Sequence, residues 1–150
     1  DSLDNLDDVE PITLADLLQS AVLDIWHPAQ QAGIDIRLIN HAPQVKRQGQ
    51  PLLLSLLVRN LLDNAIRYSP RGSVVDVTLD ARSFSVRDNG PGVDPEVLAR
   101  IGERFYRPPG QNATGSGLGL SIVRRIAALH GMHVSLSNAA EGGFEVKVSW

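Results

Sequence analysis

An apolar stretch from Pro51 to Ser69, with the sequence PLLLSLLVRNLLDNAIRYS, constrains the fold more than any other part of the chain. Pro51 is suited to the first position of a helix, and Leu, Val, Ala and Ile occupy nearly every core-facing place after it. The pattern predicts a helix over residues 51–69, and we take this helix as the element around which the others are organised.

Four polar side chains interrupt this apolar helix along one stripe. They are Asn60, Asn64, Arg67 and Tyr68, at positions i, i+4, i+7 and i+8. An amide in an apolar setting costs roughly 1–3 kcal/mol when nothing bonds to it. A lone Asn there is best explained as a cap on a neighbouring loop or as a residue at the edge of the core. Two Asn one turn apart, followed by a cation and a phenol, point instead to a charged polar ligand such as a nucleotide with its metal ion.

Composition favours one domain and disfavours several functions. At 150 residues with 43% hydrophobic content, the chain is long enough for one globular unit with a core. The formal charge of -3 and the pI near 5.7 argue against a nucleic-acid partner, because such binding requires a basic surface. Cysteine is absent, so disulfides and a cysteine-based zinc site are excluded. No apolar run long enough for a membrane span occurs, and we expect no direct membrane contact by this chain.

Periodicity predicts an α+β fold with three long helices and about five strands. The helices are expected from Thr13 to Gly33, over residues 51–69 and from Leu118 to His130. The strands are expected over Ile34–Ile39, Val74–Leu79, Phe84–Arg87, Val134–Ser137 and Phe144–Trp150. The second and third strands are predicted to form an antiparallel hairpin around residues 80–82. Because helices and strands are interleaved with hairpins, a two-layer sandwich is favoured over a doubly wound sheet.

The N-terminal segment differs in composition from the rest. Residues 1–10 carry five acidic side chains, and we interpret residues 1–12 as a linker and residues 13–150 as the domain. Thr13, with Asp16 three positions later, is typical of a capping box. The first helix is therefore expected to begin at Thr13 with a side-chain cap.

A first glycine motif, Asp88-Asn89-Gly90-Pro91-Gly92, follows a predicted strand. A carboxylate at a strand end can accept from the exocyclic amine of a purine, while the two glycines let the backbone approach a ligand. A tight turn in which Asp88 bonds to backbone amides explains the same residues equally well. The pentapeptide by itself leaves both interpretations open.

A second glycine motif, Gly115-Ser116-Gly117-Leu118-Gly119-Leu120, opens the last predicted helix. Its amides and the positive end of the helix can receive a phosphate. It is neither a Walker loop, since no Lys follows the glycines, nor a dinucleotide-binding fingerprint, since it does not follow a strand. The turn-rich region between the motifs, from Gly90 to Gly117, is predicted to be a mobile lid containing one short helix.

The four histidines show no metal-ligand spacing with carboxylates. His130 and His133 are three residues apart, but Gly131 between them is expected to end the helix. Surface or helix-end positions are therefore favoured over catalysis.

In combination, four segments resemble the N, G1, F and G2 boxes of bacterial sensor histidine kinases. They are Asn60-Leu61-Leu62-Asp63-Asn64-Ala65, Asp88-Asn89-Gly90-Pro91-Gly92, Glu103-Arg104-Phe105-Tyr106-Arg107 and Gly115-Ser116-Gly117-Leu118-Gly119-Leu120. Four boxes in the correct order are far more specific than any one. The resemblance spans about Thr13 to Trp150 and implies a Bergerat ATP-binding sandwich, with a mixed sheet of about five strands packed on three helices and ATP between the helices and the lid.

The resemblance also implies roles for individual residues. Asn60 and Asn64 would hold Mg²⁺ and through it the triphosphate, Asp88 would bind the adenine amino group, and Tyr68 would line the base pocket. Arg67 stands where the family commonly has lysine, which keeps the charge but changes the donor geometry. The nucleotide-binding set is completed by Gly90, Gly92, Phe105, Arg107, Gly115, Gly117, Leu118 and Gly119. Asn60, Arg67 and Arg107 would assist the transfer of the phosphoryl group.

Asn60 favours phosphoryl transfer over hydrolysis. Related ATPases of this fold carry a glutamate there to activate water, whereas an amide provides no base. The resemblance therefore implies a protein-histidine kinase that passes the γ-phosphoryl group of Mg·ATP to a histidine by positioning and charge neutralisation. An ATPase or ATP-driven clamp of the same fold, and a non-catalytic nucleotide-dependent interaction module, are the alternatives.

The acceptor pattern of the family, a histidine followed by Glu or Asp and an Arg-Thr-Pro run, does not occur in this sequence. The resemblance implies that dimerisation and phosphoacceptor helices precede residues 1–12 in a longer protein. The expected partners are those helices and a response regulator. This fragment would be a monomer, and the full-length protein a homodimer in the bacterial inner membrane with this domain in the cytoplasm.

Overall fold

The computed structural model describes residues 6–90, 119–138 and 142–150, which form three helices and seven strands. In chain order the elements are β1 (Glu10–Thr13), α1 (Leu14–Gln31), β2 (Asp35–Asn40), β3 (Lys46–Gly49), α2 (Pro51–Tyr68), β4 (Val74–Asp80), β5 (Ser83–Asp88), α3 (Gly119–Leu129), β6 (His133–Asn138) and β7 (Phe144–Ser149). The two glycine stops are confirmed, because Gly33 and Gly131 have φ values of +72° and +68° just after α1 and α3.

Five strands form the main sheet in the order β2-β4-β5-β7-β6. The β2–β4 pair is parallel and the other three pairs are antiparallel. Asp80 pairs with Ser83 at the end of the β4–β5 ladder, which confirms the predicted hairpin. The predicted fold class, a mixed five-stranded sheet covered by three helices, is therefore confirmed.

The middle helix of the layer is α2, which packs against both α1 and α3. Two of its leucines, Leu52 and Leu56, are exposed, but five apolar side chains face the core and are almost completely buried; they are Leu54, Leu57, Val58, Leu61 and Leu62. Burying one such side chain stabilises the fold by about 1.5–3 kcal/mol. The polar stripe of Asn60, Asn64, Arg67 and Tyr68 lies between these buried side chains and the solvent. Burial of the neighbouring apolar side chains therefore fixes the position of the stripe relative to the sheet.

A second, two-stranded sheet was not predicted. In this sheet β1 pairs antiparallel with β3, from Glu10 opposite Gly49 to Thr13 opposite Lys46. The guanidinium of Arg47 on β3 lies over the Trp150 ring at 5.6 Å, which ties the small sheet to the end of the main one. Residues 10–12, part of the segment interpreted as a linker, are thus in a strand in the structure.

The predicted side-chain cap of α1 is wrong. Thr13 is the N-cap residue, but its side chain makes no capping hydrogen bond. Instead, the backbone N–H of Leu14 donates to the carbonyl of Val45 at 3.1 Å. Because Thr13 is also the last residue of β1, the strand pairing fixes its conformation, and the bond from Leu14 to Val45 satisfies one of the first N–H groups of the helix.

The sheet face away from the helices is polar. A row of alternating charges crosses it through the strand register, from Arg37 to Asp76, Arg87 and Glu145. Arg37 donates to both carboxylate oxygens of Asp76, at 2.7 and 2.9 Å. These hydrogen bonds, and then the charge of Asp76, raise the pKa of Arg37. A solvated outer face is what a sandwich of only two layers requires.

None of the helices among the described residues is long and apolar enough to cross a membrane.

Candidate functional site

The second half of α2 presents the polar stripe beside the core. Asn60, Asn64 and Tyr68 are half-buried, and Arg67 is exposed at the last turn. Leu57 and Leu61 are buried on the adjoining face of the helix. The stripe therefore lies at the boundary between core and solvent, where a ligand can reach it.

Asn60 is held in one orientation by its own helix. Its Nδ2 donates to the carbonyl of Leu56 at 3.0 Å, a bond back to the preceding turn. That bond uses the nitrogen of the amide and leaves Oδ1 as the acceptor. Oxygen is the atom that a hard cation such as magnesium requires.

Asn64 packs against the first residue of α3. A Cβ added to Gly119 would lie 2.9 Å from Nδ2 and 3.1 Å from Oδ1 of Asn64. A side chain at position 119 would displace the Asn64 amide from its observed position. The chain thus brings two of the predicted site residues together, although they are 55 positions apart in the sequence. Within the described residues, no hydrogen bond satisfies the Asn64 amide.

Asp88 ends β5 and is 9% exposed. Its Oδ1 accepts from the backbone N–H of Gly90 at 2.9 Å and from that of Phe144 at 3.3 Å. The Oδ1 of the neighbouring Asn89 accepts from the N–H of Val74, the first residue of the adjacent strand β4, at 2.9 Å. The turn interpretation of this motif is therefore observed. It does not displace the ligand interpretation, since both described bonds use one carboxylate oxygen and leave Oδ2 for a base.

The end of α2 meets the turn that follows Asp88. A Cβ on Gly90 would lie 3.1 Å from Cδ of Pro70, which is two residues beyond Tyr68. The approach brings the C-terminal end of the polar stripe next to the carboxylate. The contact between Asn64 and Gly119 and the contact between Pro70 and Gly90 therefore lie in sequence along the second half of α2 and the turn that follows it.

Six of the predicted site residues lie outside the described residues. They are Gly92, Phe105, Arg107, Gly115, Gly117 and Leu118. The same holds for the predicted lid beyond Gly90.

Two residues near Asp88 were missed by the sequence analysis. Gly143 lies against the backbone of Asp88, and Phe144 donates to its side chain. The only local signal was the pair of glycines between the last two strands, which is also typical of an ordinary hairpin. Their closeness to Asp88 results from the pairing of β5 with β7.

One of the four histidines is buried. His130 directly follows the last residue of α3, a helix-end position as expected, and is 1% exposed. Among the described residues, no group of three or more His, Asp or Glu side chains is arranged to hold a metal ion.

Comparison with known proteins identifies the family. The family described as histidine kinase-, DNA gyrase B- and HSP90-like ATPase matches residues 49–150, which is more than half of the chain. Sensor protein QseC of Salmonella typhimurium is 78% identical over 150 residues, which cover all of this chain and 33% of that protein. The chain spans about a third of the length of the curated relatives it matches.

Solved structures agree with this assignment. The cytoplasmic segment of histidine kinase QseC superposes with a TM-score of 0.79 at 61% identity, covering all of this chain and 82% of that one. Full-length ShkA in complex with AMPPNP superposes with a TM-score of 0.82 at 29% identity, covering 94% of this chain and 30% of that one. The chain therefore belongs to the family of histidine kinase-, DNA gyrase B- and HSP90-like ATPases.

Proposed function

We propose that this chain is the catalytic ATP-binding domain of a two-component sensor histidine kinase. It transfers the γ-phosphoryl group of Mg·ATP to a histidine on dimerisation helices of the same protein, for relay to a response regulator. The observation that carries the proposal is the half-buried amide of Asn64 against Gly119, because it joins the two motifs expected to hold the triphosphate. The similarity to sensor protein QseC supports the choice of kinase.

The residues present fit a magnesium ion bound through amide oxygens. Asn60 offers Oδ1, since its nitrogen is occupied by Leu56. Asn64, one turn later, brings a second amide to the same stripe. Magnesium keeps several waters and needs few protein ligands, so two amide oxygens and the phosphates are sufficient. When bound, the ion neutralises phosphate charge.

The base is recognised at the other end of the site. The Oδ2 atom of Asp88 accepts from the exocyclic amine of adenine, while Gly90 and Phe144 hold Oδ1. Tyr68, half-buried near Pro70, supplies an apolar ring beside the base. A carboxylate in this position favours adenine over guanine, because guanine has a carbonyl oxygen where adenine has its amine.

The phosphates lie near the start of α3 and the exposed end of α2. The first N–H groups of a helix are unsatisfied and carry partial positive charge, which favours an anion at Gly119. Arg67 adds a guanidinium at the last turn of α2. Together these groups orient the triphosphate and offset its charge during transfer.

Asn60 separates this proposal from an ATPase of the same fold. An amide cannot take a proton from water, so hydrolysis is slow and the phosphoryl group is kept for the protein acceptor. The ATPase alternative remains the second candidate, because the matched family also includes DNA gyrase B- and HSP90-like enzymes. A non-catalytic nucleotide-dependent module is the third.

The setting of the domain is part of the proposal. We place it in the cytoplasm, as the ATP-binding part of a bacterial inner-membrane protein that is a homodimer through helices outside this chain. The solved relative described as the cytoplasmic segment of histidine kinase QseC supports this setting. Alone, the chain is expected to be a monomer.

Calorimetric titration of the purified chain with ATP, with and without Mg²⁺, tests the first step. A separately made fragment carrying dimerisation helices with an acceptor histidine then tests transfer of the phosphoryl group. Binding with transfer, and little hydrolysis when the fragment is left out, is the expected result. Fast turnover without the fragment would make the chain an ATPase, and absence of binding would leave only the interaction module.

A further inference from the structure

The hairpin between β6 and β7 contains two glycines that the proposed site has not used. Gly142 and Gly143 have φ values of +99° and +94°, a backbone conformation that favours glycine. They follow β6 at the edge of the main sheet and lead directly into β7. Backbone conformation alone therefore explains a glycine equally well at either position.

The surroundings of the two glycines differ sharply. A Cβ on Gly143 would overlap the carbonyl oxygen of Asp88 and lie 2.8 Å from its carbonyl carbon and 3.1 Å from Cα of Asn89. These are backbone atoms of a paired strand end, which cannot swing aside as the tip of a side chain can. Among the described residues, a Cβ on Gly142 would meet only the carbonyl oxygen of Gly90, at an ordinary 3.8 Å.

The close approach of Gly143 has a direct effect on the Asp88 carboxylate. It places the N–H of the next residue, Phe144, 3.3 Å from Oδ1. The N–H of Gly90, in the turn after β5, donates to the same oxygen at 2.9 Å. Two backbone donors from separate segments therefore hold Oδ1 of the carboxylate. Removing one of them leaves Asp88 held only by the turn to which it belongs.

We infer that Gly143 is a positioning residue for Asp88, and that the hairpin between β6 and β7 sets the adenine selectivity of the site. Gly143 acts through Asp88 and does not touch the ligand. The inference rests on the proposed function, since it assigns the base to Asp88.

The test compares Gly143→Ala with Gly142→Ala by calorimetric titration with ATP and GTP in the presence of Mg²⁺. Both substitutions place alanine at positive φ, so both carry a similar backbone strain. Only Gly143→Ala displaces the backbone of Asp88. We expect it to weaken ATP binding by about tenfold and to reduce the preference for ATP over GTP, as expected for the loss of one hydrogen bond to a charged group. Gly142→Ala should keep the wild-type preference.

Thermal unfolding of both variants identifies a purely structural role. If Gly143→Ala lowers the Tm but keeps the ATP-to-GTP preference of the wild type, the inference is overturned. Equal loss of preference in both variants also overturns it. Failure of the wild-type chain to bind ATP is a separate result, which removes the proposed function itself.

Amide hydrogen exchange of the wild-type chain gives a second test that does not depend on the folding of Gly143→Ala. The Phe144 and Gly90 amides should exchange slowly without nucleotide, because Oδ1 of Asp88 accepts from both. Rapid exchange of Phe144 beside a protected Gly90 would show that the hairpin does not hold the carboxylate.

Discussion

The two ends of the α2–α3 pair differ in how their polar groups are satisfied. At one end, Asn64 lies against Gly119, and no described residue bonds to its amide. At the other end, His130 is buried and both of its ring nitrogens are used: Nε2 accepts from the N–H of Gln50 at 3.1 Å, and Nδ1 donates to the carbonyl of Ile126 at 2.7 Å. Because the two helices run antiparallel, the end with satisfied polar groups comprises the start of α2 and the end of α3. The other end comprises the second half of α2 and the start of α3.

The comparison distinguishes a structural polar group from a binding one. Gln50 is the N-cap of α2, and its side chain also accepts from the N–H of Leu53 at 2.9 Å. The His130 end is therefore complete within the protein, as buried polar groups generally are. At the Asn64 end no described residue bonds to the amide, and under the proposed function the cost of leaving it without a partner is offset when the nucleotide binds.

The largest expected effect is on stability at the His130 end. His130→Ala removes a fully buried ring and leaves the N–H of Gln50 without its acceptor, so the free energy of unfolding should fall by about 3–5 kcal/mol. Urea denaturation measures the change. His133→Ala, at an exposed position three residues away, is the matched control and should change stability by less than about 0.5 kcal/mol. Similar losses in the two variants would contradict the assigned structural role.

A smaller effect, confined to binding, is expected at the Asn64 end. Asn64→Ala should weaken Mg·ATP binding by about a hundredfold or more, equivalent to about 2.7 kcal/mol, because the proposed function makes the Asn64 amide oxygen a ligand of the cation. Stability should change by less than about 0.5 kcal/mol, since no described hydrogen bond is broken. Ser55→Ala, exposed on the same helix, should bind as the wild type does. The contrast between the two ends would be contradicted if Asn64→Ala lowered the free energy of unfolding as much as His130→Ala does, or if it left Mg·ATP affinity unchanged.

Asp88→Asn tests the base end of the site with a change of one atom. Asparagine keeps Oδ1 as the acceptor for Gly90 and Phe144, so the fold should be retained. The new NH₂ group faces the adenine amine, and two donors repel each other. ATP affinity should fall by about tenfold, while GTP binding improves relative to ATP. Calorimetric titration with both nucleotides measures the ratio, and an unchanged ratio would remove Asp88 from base recognition.

The smallest effect is expected on the outer face of the sheet. Arg37→Ala breaks the ion pair with Asp76, but the Arg37 side chain is 61% exposed and water replaces its partner. Surface pairs of this kind contribute little. Differential scanning calorimetry should show no resolvable change in Tm, and nucleotide affinity should match the wild type. A clear fall in Tm would mean that the ion pair between Arg37 and Asp76 stabilises the fold more than the exposure of Arg37 indicates.

Local patterns determined much of this architecture. The apolar period of α2, the glycines that end α1 and α3, and the β4–β5 hairpin were all predicted correctly from neighbouring residues. Such features depend on helix period, strand alternation and backbone freedom, which extend over only a few positions. The polar stripe was recognised for the same reason, and the four boxes in order predicted the family that was then confirmed.

Only the tertiary structure decided which distant residues meet. The bond from Gln50 to His130 joins positions 80 apart, and the bond from Phe144 to Asp88 joins positions 56 apart. Neither pair has a periodic or compositional signal, because the contact arises from helix packing and strand order rather than from neighbouring residues. The pairing of β1 with β3 was missed for the same reason. The sequence by itself determined the elements and the chemistry of the stripe, whereas packing decided which polar groups are satisfied by other described residues and which are not.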